Sequence, residues 1–238
     1  MKPATERLWK KYYSYDEHAF NIYEKRIEEN LSKDFTILDA GCGATAPVLT
    51  KFVGKCMKPI GVDLVTFQAS QCQGVHLLQN DLSNIELDNS CIDLVISRSV
   101  LEHVPDVESV YKELSRVLKP GGKFIFLVPN FWDYVSIASY LIPNSLHKLI
   151  VEKASGRPEE DTFATYYNSN TKRSITRLAQ RTGFAVSSIE YLGQYPYMFE
   201  FNTLFFRMGI YYDKLVCRYS SLDFLRGWIL CEMEKVSP

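Results

Sequence analysis

From residue 36 onward the chain alternates short unbroken apolar runs with amphipathic stretches. Thr36-Ile-Leu-Asp-Ala40 has the length and β-branched character of a buried strand and ends at Gly41-Cys42-Gly43. Similar runs predict strands at Pro59–Leu64, Gly74–Gln79, Ile92–Ser97 and Lys123–Val128. A helix is expected from the Gly41–Gly43 turn to about Val53, with Pro47 in its first turn. Another is expected over Val107–Leu118, stopped by Lys119-Pro-Gly-Gly122. Farther on, Thr171–Thr182 is amphipathic and closed by Gly183, Phe184–Leu192 reads as a strand, and Trp228–Met233 as a last one. Upstream, Leu8, Tyr12, Tyr15, Ala19, Ile22, Arg26 and Glu29 step by threes and fours and predict one helix over 5–31. Strands and helices alternating in this way predict an α/β fold, a mostly parallel sheet with helices on both faces. Such sheets bind ligands at the carboxyl ends of their strands. Two stretches break the rhythm, 131–170 and 195–226, and are expected to form an aromatic-rich cap on a single domain whose core is 36–130.

Composition narrows the class. Lys and Arg number 27 against 28 Asp and Glu, which speaks against a dedicated nucleic-acid binder. The longest uncharged apolar stretch, Tyr134–Leu146, holds Pro143 and falls short of the roughly 20 residues that span a bilayer. The start, Met-Lys-Pro-Ala-Thr-Glu-Arg, has no apolar signal core. The six cysteines are scattered without a CxxC pair, so reduced thiols and a cytoplasmic setting are expected. The four histidines are far apart, and no metal motif is expected.

Candidate chemistry lies at three successive strand ends. Glycines at 41 and 43 let a ligand approach the backbone, and a helix amino terminus after them would offer free N–H groups. Asp63 stands 24 positions after Asp39, where an acid can accept from a ribose diol. Asp81, after the third strand, can accept from an adenine amino group, with Leu64 and Leu82 on either side of the base. Each acid also has a plainer reading as a helix cap or turn residue.

In order, Ile37-Leu-Asp-Ala-Gly-Cys-Gly43, Gly61-Val-Asp-Leu64, Asn80-Asp-Leu82, Ile92-Asp-Leu-Val-Ile-Ser97, Val100-Leu-Glu-His-Val104 and Leu118-Lys-Pro-Gly-Gly122 resemble the motifs of Rossmann-like S-adenosylmethionine-dependent methyltransferases of the small-molecule type. The resemblance covers about 36–130 and implies a sheet of about seven strands. It implies that Asp39, Gly41, Cys42 and Gly43 line the methionine part of S-adenosylmethionine, that Asp63 holds the ribose, and that Asp81 and Leu82 hold adenine, with Leu64 on the other side of the base. Ser97 and Arg98 would turn backbone carbonyls to the methionine ammonium. Val100, Leu101 and His103 would lie near the sulfur or the substrate, with S-adenosylhomocysteine as product. The chain departs from the family in lacking a further glycine at Ala44 or Thr45.

Gly41-Cys-Gly-Ala-Thr-Ala46 also satisfies the GxGxxG/A pattern of a nicotinamide-binding oxidoreductase. Against that reading, an acid at position 39 would repel a pyrophosphate but suits a ligand carrying an ammonium and a sulfonium. A non-catalytic scaffold with this fold is the other alternative. A nucleophile that must lose a proton needs a base, for which His103 leads over His147, Glu102, Glu159, Glu160 and Asp161. Nine of the 22 residues from Tyr191 to Tyr212 are Phe or Tyr. With Tyr12, Tyr15, His147, Tyr166 and Tyr167 they are expected either to fill the core under the cap or to wall a pocket for a small organic acceptor. A third reading places Phe201–Tyr219 at a membrane surface, since Arg207, Lys214 and Arg218 interleave with its apolar residues. Oligomeric state is not readable.

Overall fold

A computed structural model describes residues 2–141 and 164–236. Its centre is a seven-stranded sheet in the order β3-β2-β1-β4-β5-β7-β6. The strands are β1 (Thr36–Ala40), β2 (Lys58–Asp63), β3 (His76–Gln79), β4 (Ile92–Arg98), β5 (Leu118–Pro129), β6 (Phe184–Leu192) and β7 (Trp228–Lys235). Only β7 runs against the others. This is the mostly parallel α/β architecture expected of the motifs.

Side chains alternate between two cores, as a pleat requires. Leu38, Val95, Phe124, Phe126 and Cys231 face one layer with α3 (Val107–Val117) and α5 (Lys172–Thr182). Ile37, Leu94, Ile96, Ile125 and Leu230 face the other with α2 (Ala19–Asn30) and a 3₁₀ turn at Leu49–Phe52. Burial on both faces is why β1 and β4 read as continuous apolar runs. Local signals set the ends of α5. The Thr171 hydroxyl accepts from Ser174 N–H, and Gly183, at φ +81°, closes the helix in the left-handed region.

Three expectations fail. The helix over 5–31 is two helices, α1 (Pro3–Tyr12) and α2, because the chain turns extended at Tyr13 and His18 caps a new start, its Nδ1 accepting from Phe20 N–H. The apolar steps simply continue across that break. The helix after Gly43 does not form; one 3₁₀ turn is all there is before Gly54. Ala46, just before Pro47, takes φ +44°, outside the helical region, and the chain beyond it makes only turns until Leu49. Finally, Lys119–Gly122 ends α3 but is no free turn, since β5 begins at Leu118 opposite Ile92 and carries these residues across a register shift.

The segments outside the sheet supply α4 (Tyr134–Leu141) and α6 (Thr203–Arg218). Of the nine rings between 191 and 212, only Phe206 is fully buried, and Tyr197, Phe201, Phe205 and Tyr211 are exposed. The dense aromatic run is therefore not simply core.

Candidate active site at the carboxyl ends of β1, β2 and β4

Strand order reverses between β1 and β4, and there the two strands part. Their backbone pairing ends at Asp39 opposite Ile96. One step farther the Ser97 hydroxyl, itself buried, donates to the Ala40 carbonyl at 2.7 Å. That bond satisfies a carbonyl the ladder no longer reaches and holds open the crevice where such folds bind ligands.

Gly41-Cys42-Gly43 forms the rim. Gly41 and Cys42 N–H both donate to the Val62 carbonyl, at 2.8 and 3.1 Å. Gly43 N–H donates to Asp63 Oδ2 at 2.7 Å, and Val65 N–H to Oδ1 at 3.2 Å. Asp63 thus organises the loop from β2. Each of its oxygens keeps a lone pair for a further donor. Both glycines hold positive φ, +82° and +72°. A Cβ on Gly41 would lie 2.3 Å from Val100 Cγ2, whereas one on Gly43 would meet nothing within 4 Å. Gly41 therefore seats Val100, and the space beside Gly43 is open. The rim's N–H groups are ordered by Val62 and Asp63, not by a helix amino terminus as the sequence led one to expect.

Asp39 lies on the crevice floor with 2% of its surface exposed. Burial pushes its carboxyl up to about 7; the Arg98 guanidinium pulls it down, and the Asp63 charge pushes it up. Arg98 offers more than a backbone carbonyl. Its guanidinium reaches Glu24 at 3.3 Å and lies 4.5 Å from the Phe20 ring centre, both on α2. Tyr23 of α2 is fully buried, its phenol pushed well up by burial and then by Asp39. Arg98's side-chain role and Tyr23 were missed in the sequence, although Tyr23 stands one helical turn from Ala19 and Ile27 on a buried stripe.

The adenine-side residues divide. Asp81 is exposed and its Oδ1 accepts from Ser83 N–H and hydroxyl at 2.8 and 2.7 Å, a turn role. Leu82 is buried in the core, while Leu64 stands 66% exposed. Cys42 is buried too, its sulfur 2.7 Å from where a Gly61 Cβ would lie, and burial raises its thiol. It packs the core, and only its backbone faces the rim.

Beyond Val100, a 3₁₀ turn over Leu101–His103 carries two titratable groups. Glu102 is nearly fully buried, and burial lifts its carboxyl to about 8, so it is protonated at neutral pH. Its carbonyl accepts from Tyr166 and Tyr167 N–H at 2.7 and 3.3 Å, which brings both tyrosines to this turn. His103 Nδ1 lies 3.0 Å from the Ala164 carbonyl. A carbonyl only accepts, so Nδ1 carries the proton and the Nε2 lone pair is the basic site. Burial lowers the His103 pKa, with the Ala164 bond opposing, which keeps the ring neutral near pH 7. Tyr12 and Tyr15 are exposed and pack on Lys11 and Trp9. His147, Glu159, Glu160 and Asp161 lie outside the described residues.

Tyr13 and Tyr134, rather than Tyr12 and Tyr15, turn inward, with Asp133 and Asp213. Burial lifts Asp133 to about 6 and raises Asp213 as well. Asp213 was detectable, since it falls on the buried stripe Phe206-Gly209-Ile210-Asp213-Val216. A cavity of about 410 Å³ opens at the opposite, amino-terminal edge of the sheet beside Phe35, Asp93 and Gly122. Its lining Lys119 already pairs with Asp93 at 2.6 Å.

The crevice fits the cofactor that the motifs imply. A buried carboxyl awaits a cation, an acid at the next strand end retains acceptor capacity, and the rim has room for a ligand beside Gly43. It suits a dinucleotide less, because no α-helix follows Gly43 to receive a pyrophosphate.

Comparison with known proteins agrees. The methyltransferase domain family matches residues 38–126. A demethylmenaquinone methyltransferase of Staphylococcus saprophyticus is 30% identical over 190 residues, covering 72% of this chain and 79% of that protein. A sterol 24-C-methyltransferase of Schizosaccharomyces pombe is 31% identical over 100 residues, 37% of this chain and 26% of that protein. The chain spans between 26% and 44% of the length of several curated relatives it matches. Among solved structures, an S-adenosylmethionine-dependent methyltransferase from Mesorhizobium loti superposes with a TM-score of 0.58 at 15% identity, over 93% of this chain and all of that one, a likeness of fold. Shared motifs, a shared sheet and a relative matched over most of its length together place this chain in the Rossmann-like family of S-adenosylmethionine-dependent methyltransferases.

Proposed function

We propose that the protein transfers a methyl group from S-adenosylmethionine to a small, largely apolar organic acceptor. The observation that carries this reading is the buried Asp39 at the β1–β4 crevice, a carboxyl whose ionisation a ligand ammonium would restore. When bound, the cofactor supplies a methyl group on a positive sulfur and departs as neutral S-adenosylhomocysteine.

The chain's own groups then have separable tasks. Asp39 meets the methionine ammonium, with the Ser97 and Arg98 carbonyls beside it. Asp63 holds the ribose while tying down Gly43, and Leu64 covers the adenine face. With so activated a donor the protein's main work is alignment. Residues 2–31, 131–141, 164–170 and 195–226 act as a cap. In support, the Thr5 hydroxyl donates to the Glu200 carbonyl at 3.4 Å, and Tyr134 stacks on Phe199 at 5.9 Å. Relatives named for a sterol and for demethylmenaquinone favour an apolar acceptor, as do the rings of Phe131 and Tyr167, 5.7 Å apart.

Two measurements bear on this directly. Asp63→Ala removes a charged acceptor from both loop and ligand and is expected to weaken S-adenosylhomocysteine binding by roughly 1.5–3 kcal/mol, about tenfold or more by calorimetry. Unchanged affinity would take Asp63 out of the site. His103→Ala is expected to leave that affinity intact and lower turnover at neutral pH. Wild-type turnover should fall on the acid side as His103 gains a proton, at a pH below the ordinary imidazole range because burial lowers its pKa. An acid limb that survives in the variant assigns the base elsewhere. The decisive assay is S-adenosylhomocysteine formation with a panel of quinol, phenol and isoprenoid acceptors; binding without turnover on any would favour a scaffold.

A further inference from the structure

We propose that α6 docks this protein on an anionic lipid surface. The helix has its apolar residues on two faces, and only one of them is needed for folding. Phe206, Gly209, Ile210, Asp213 and Val216 face inward and are buried. Gly209 shows how closely that side is seated, since a Cβ there would lie 2.3 Å from Pro196 Cβ. The opposite side carries Leu204, Met208, Tyr211 and Leu215, exposed by 66%, 59%, 73% and 53%. Their steps of four, three and four put them in one row along a helix about 24 Å long. Phe201, just before the helix, and Phe205, round the helix from Leu204, are exposed as well. Single exposed apolar residues are ordinary, whereas a continuous row on a helix is the mark of a docking face.

The charges on this helix say what the row faces. Its exposed charged residues are Arg207, Lys214 and Arg218, all positive. Its one acid, Asp213, points inward. The Lys214 Nζ lies 4.8 Å from the Tyr13 ring centre and the Arg218 guanidinium 5.7 Å from that of Tyr219, so two of the three cations rest on aromatic rings at the surface beside the row. An apolar row flanked by cations is what a helix lying in the headgroup layer presents. No described helix is long and apolar enough to cross a membrane, so the contact is one of lying on the surface.

The test uses the full chain and vesicles of phosphatidylcholine with and without phosphatidylglycerol. The protein is expected to sediment with the anionic vesicles at least about tenfold more strongly than with the neutral ones, and raised salt should reduce the difference. The triple variant Leu204→Ser, Met208→Ser, Leu215→Ser alters exposed side chains only. It should lose vesicle binding while its melting temperature and S-adenosylhomocysteine affinity stay as in the parent. Arg207→Gln with Lys214→Gln and Arg218→Gln should remove the preference for anionic lipid. Failure to sediment with anionic vesicles overturns the proposal, as does sedimentation that the triple serine variant leaves unchanged. A dimer that the serine variant converts to monomer, in a protein that ignores vesicles, overturns it in favour of self-association.

Discussion

Asp39→Asn is expected to stabilise the ligand-free protein at about pH 8 and, in the same protein, to weaken cofactor binding by tenfold or more. The two effects have one cause. In the unfolded chain Asp39 ionises near its ordinary value of 3.8; in the fold burial lifts it to about 7, against the pull of Arg98 and with a further push from Asp63. Between those values the folded protein keeps a proton that the unfolded chain has lost. Stability therefore falls as pH rises through this window, and the full penalty is present above it. The penalty is on the order of 2–4 kcal/mol for a fully buried carboxyl lifted this far. Asparagine has nearly the same shape and never ionises, so the pH-dependent loss should vanish from thermal melts between about pH 4 and 8. A ligand ammonium stabilises the carboxylate and binds best once the proton has gone. Wild-type affinity for S-adenosylhomocysteine should thus rise with pH towards about 7, and the variant should show neither the rise nor the affinity. Tight binding by Asp39→Asn would mean that the ammonium sits elsewhere. A variant no more stable than wild type at high pH would mean that the carboxyl is not strained by burial.

Gly41→Ala is expected to be the most damaging of the small substitutions at the rim. Its φ of +82° alone costs a Cβ-bearing residue about 1–2 kcal/mol. The new Cβ would also sit 2.3 and 2.6 Å from the two Val100 γ-carbons. Valine is stiff at χ1 and cannot swing both methyl groups aside. The overlap must be relieved by moving backbone, at a further 1–3 kcal/mol or so. For a chain of this length the sum corresponds to a fall in melting temperature of about 5–15 °C. The displaced backbone leads straight into Leu101–His103, so turnover should fall further than binding. Gly43→Ala is the control. It has a similar positive φ, +72°, but no neighbour within 4 Å, so it should cost only the backbone strain while filling space a ligand needs. Adding Val100→Ala should recover much of the stability lost in Gly41→Ala. Equal losses at the two glycines, or no recovery in the double variant, would remove Val100 as the cause.

These two sites divide the legible from the illegible. Asp39, Gly41, Gly43 and Asp63 were found as residues of a strand-end crevice. Val100 and Arg98 were named from the motifs too, but not what their side chains touch, because Val100 lies 59 positions from Gly41 and Arg98 the same distance from Asp39. The base candidate His103 was named from its motif, yet the carbonyl that orients its ring belongs to Ala164. Asp81 was placed correctly at a strand end, and its Oδ1 is bound to Ser83, the turn role that the residue type alone already allowed.

Elements whose limits depend on neighbours in the chain were readable. Strand β6 and the capped end of α5 at Gly183 fall where apolar period and turn chemistry put them. The mostly parallel architecture was readable too, since continuous apolar runs alternating with amphipathic helices are the mark of a sheet covered on both faces. Failures came where favourable local signals did not suffice, as after Gly43, where Ala46 takes a positive φ and no α-helix follows, or where period persisted across a break, as between α1 and α2. The aromatic run from 191 to 212 shows the deeper limit. Its pattern records that rings recur, but not whether a given ring faces protein or solvent. That depends on how closely Gly209 lets α6 approach Pro196, and which side is left outside follows. Periodicity along a chain reports the burial each residue needs; packing between distant segments settles which face receives it, and with it the ionisation of Asp39, the aim of Arg98 and the outward row on α6.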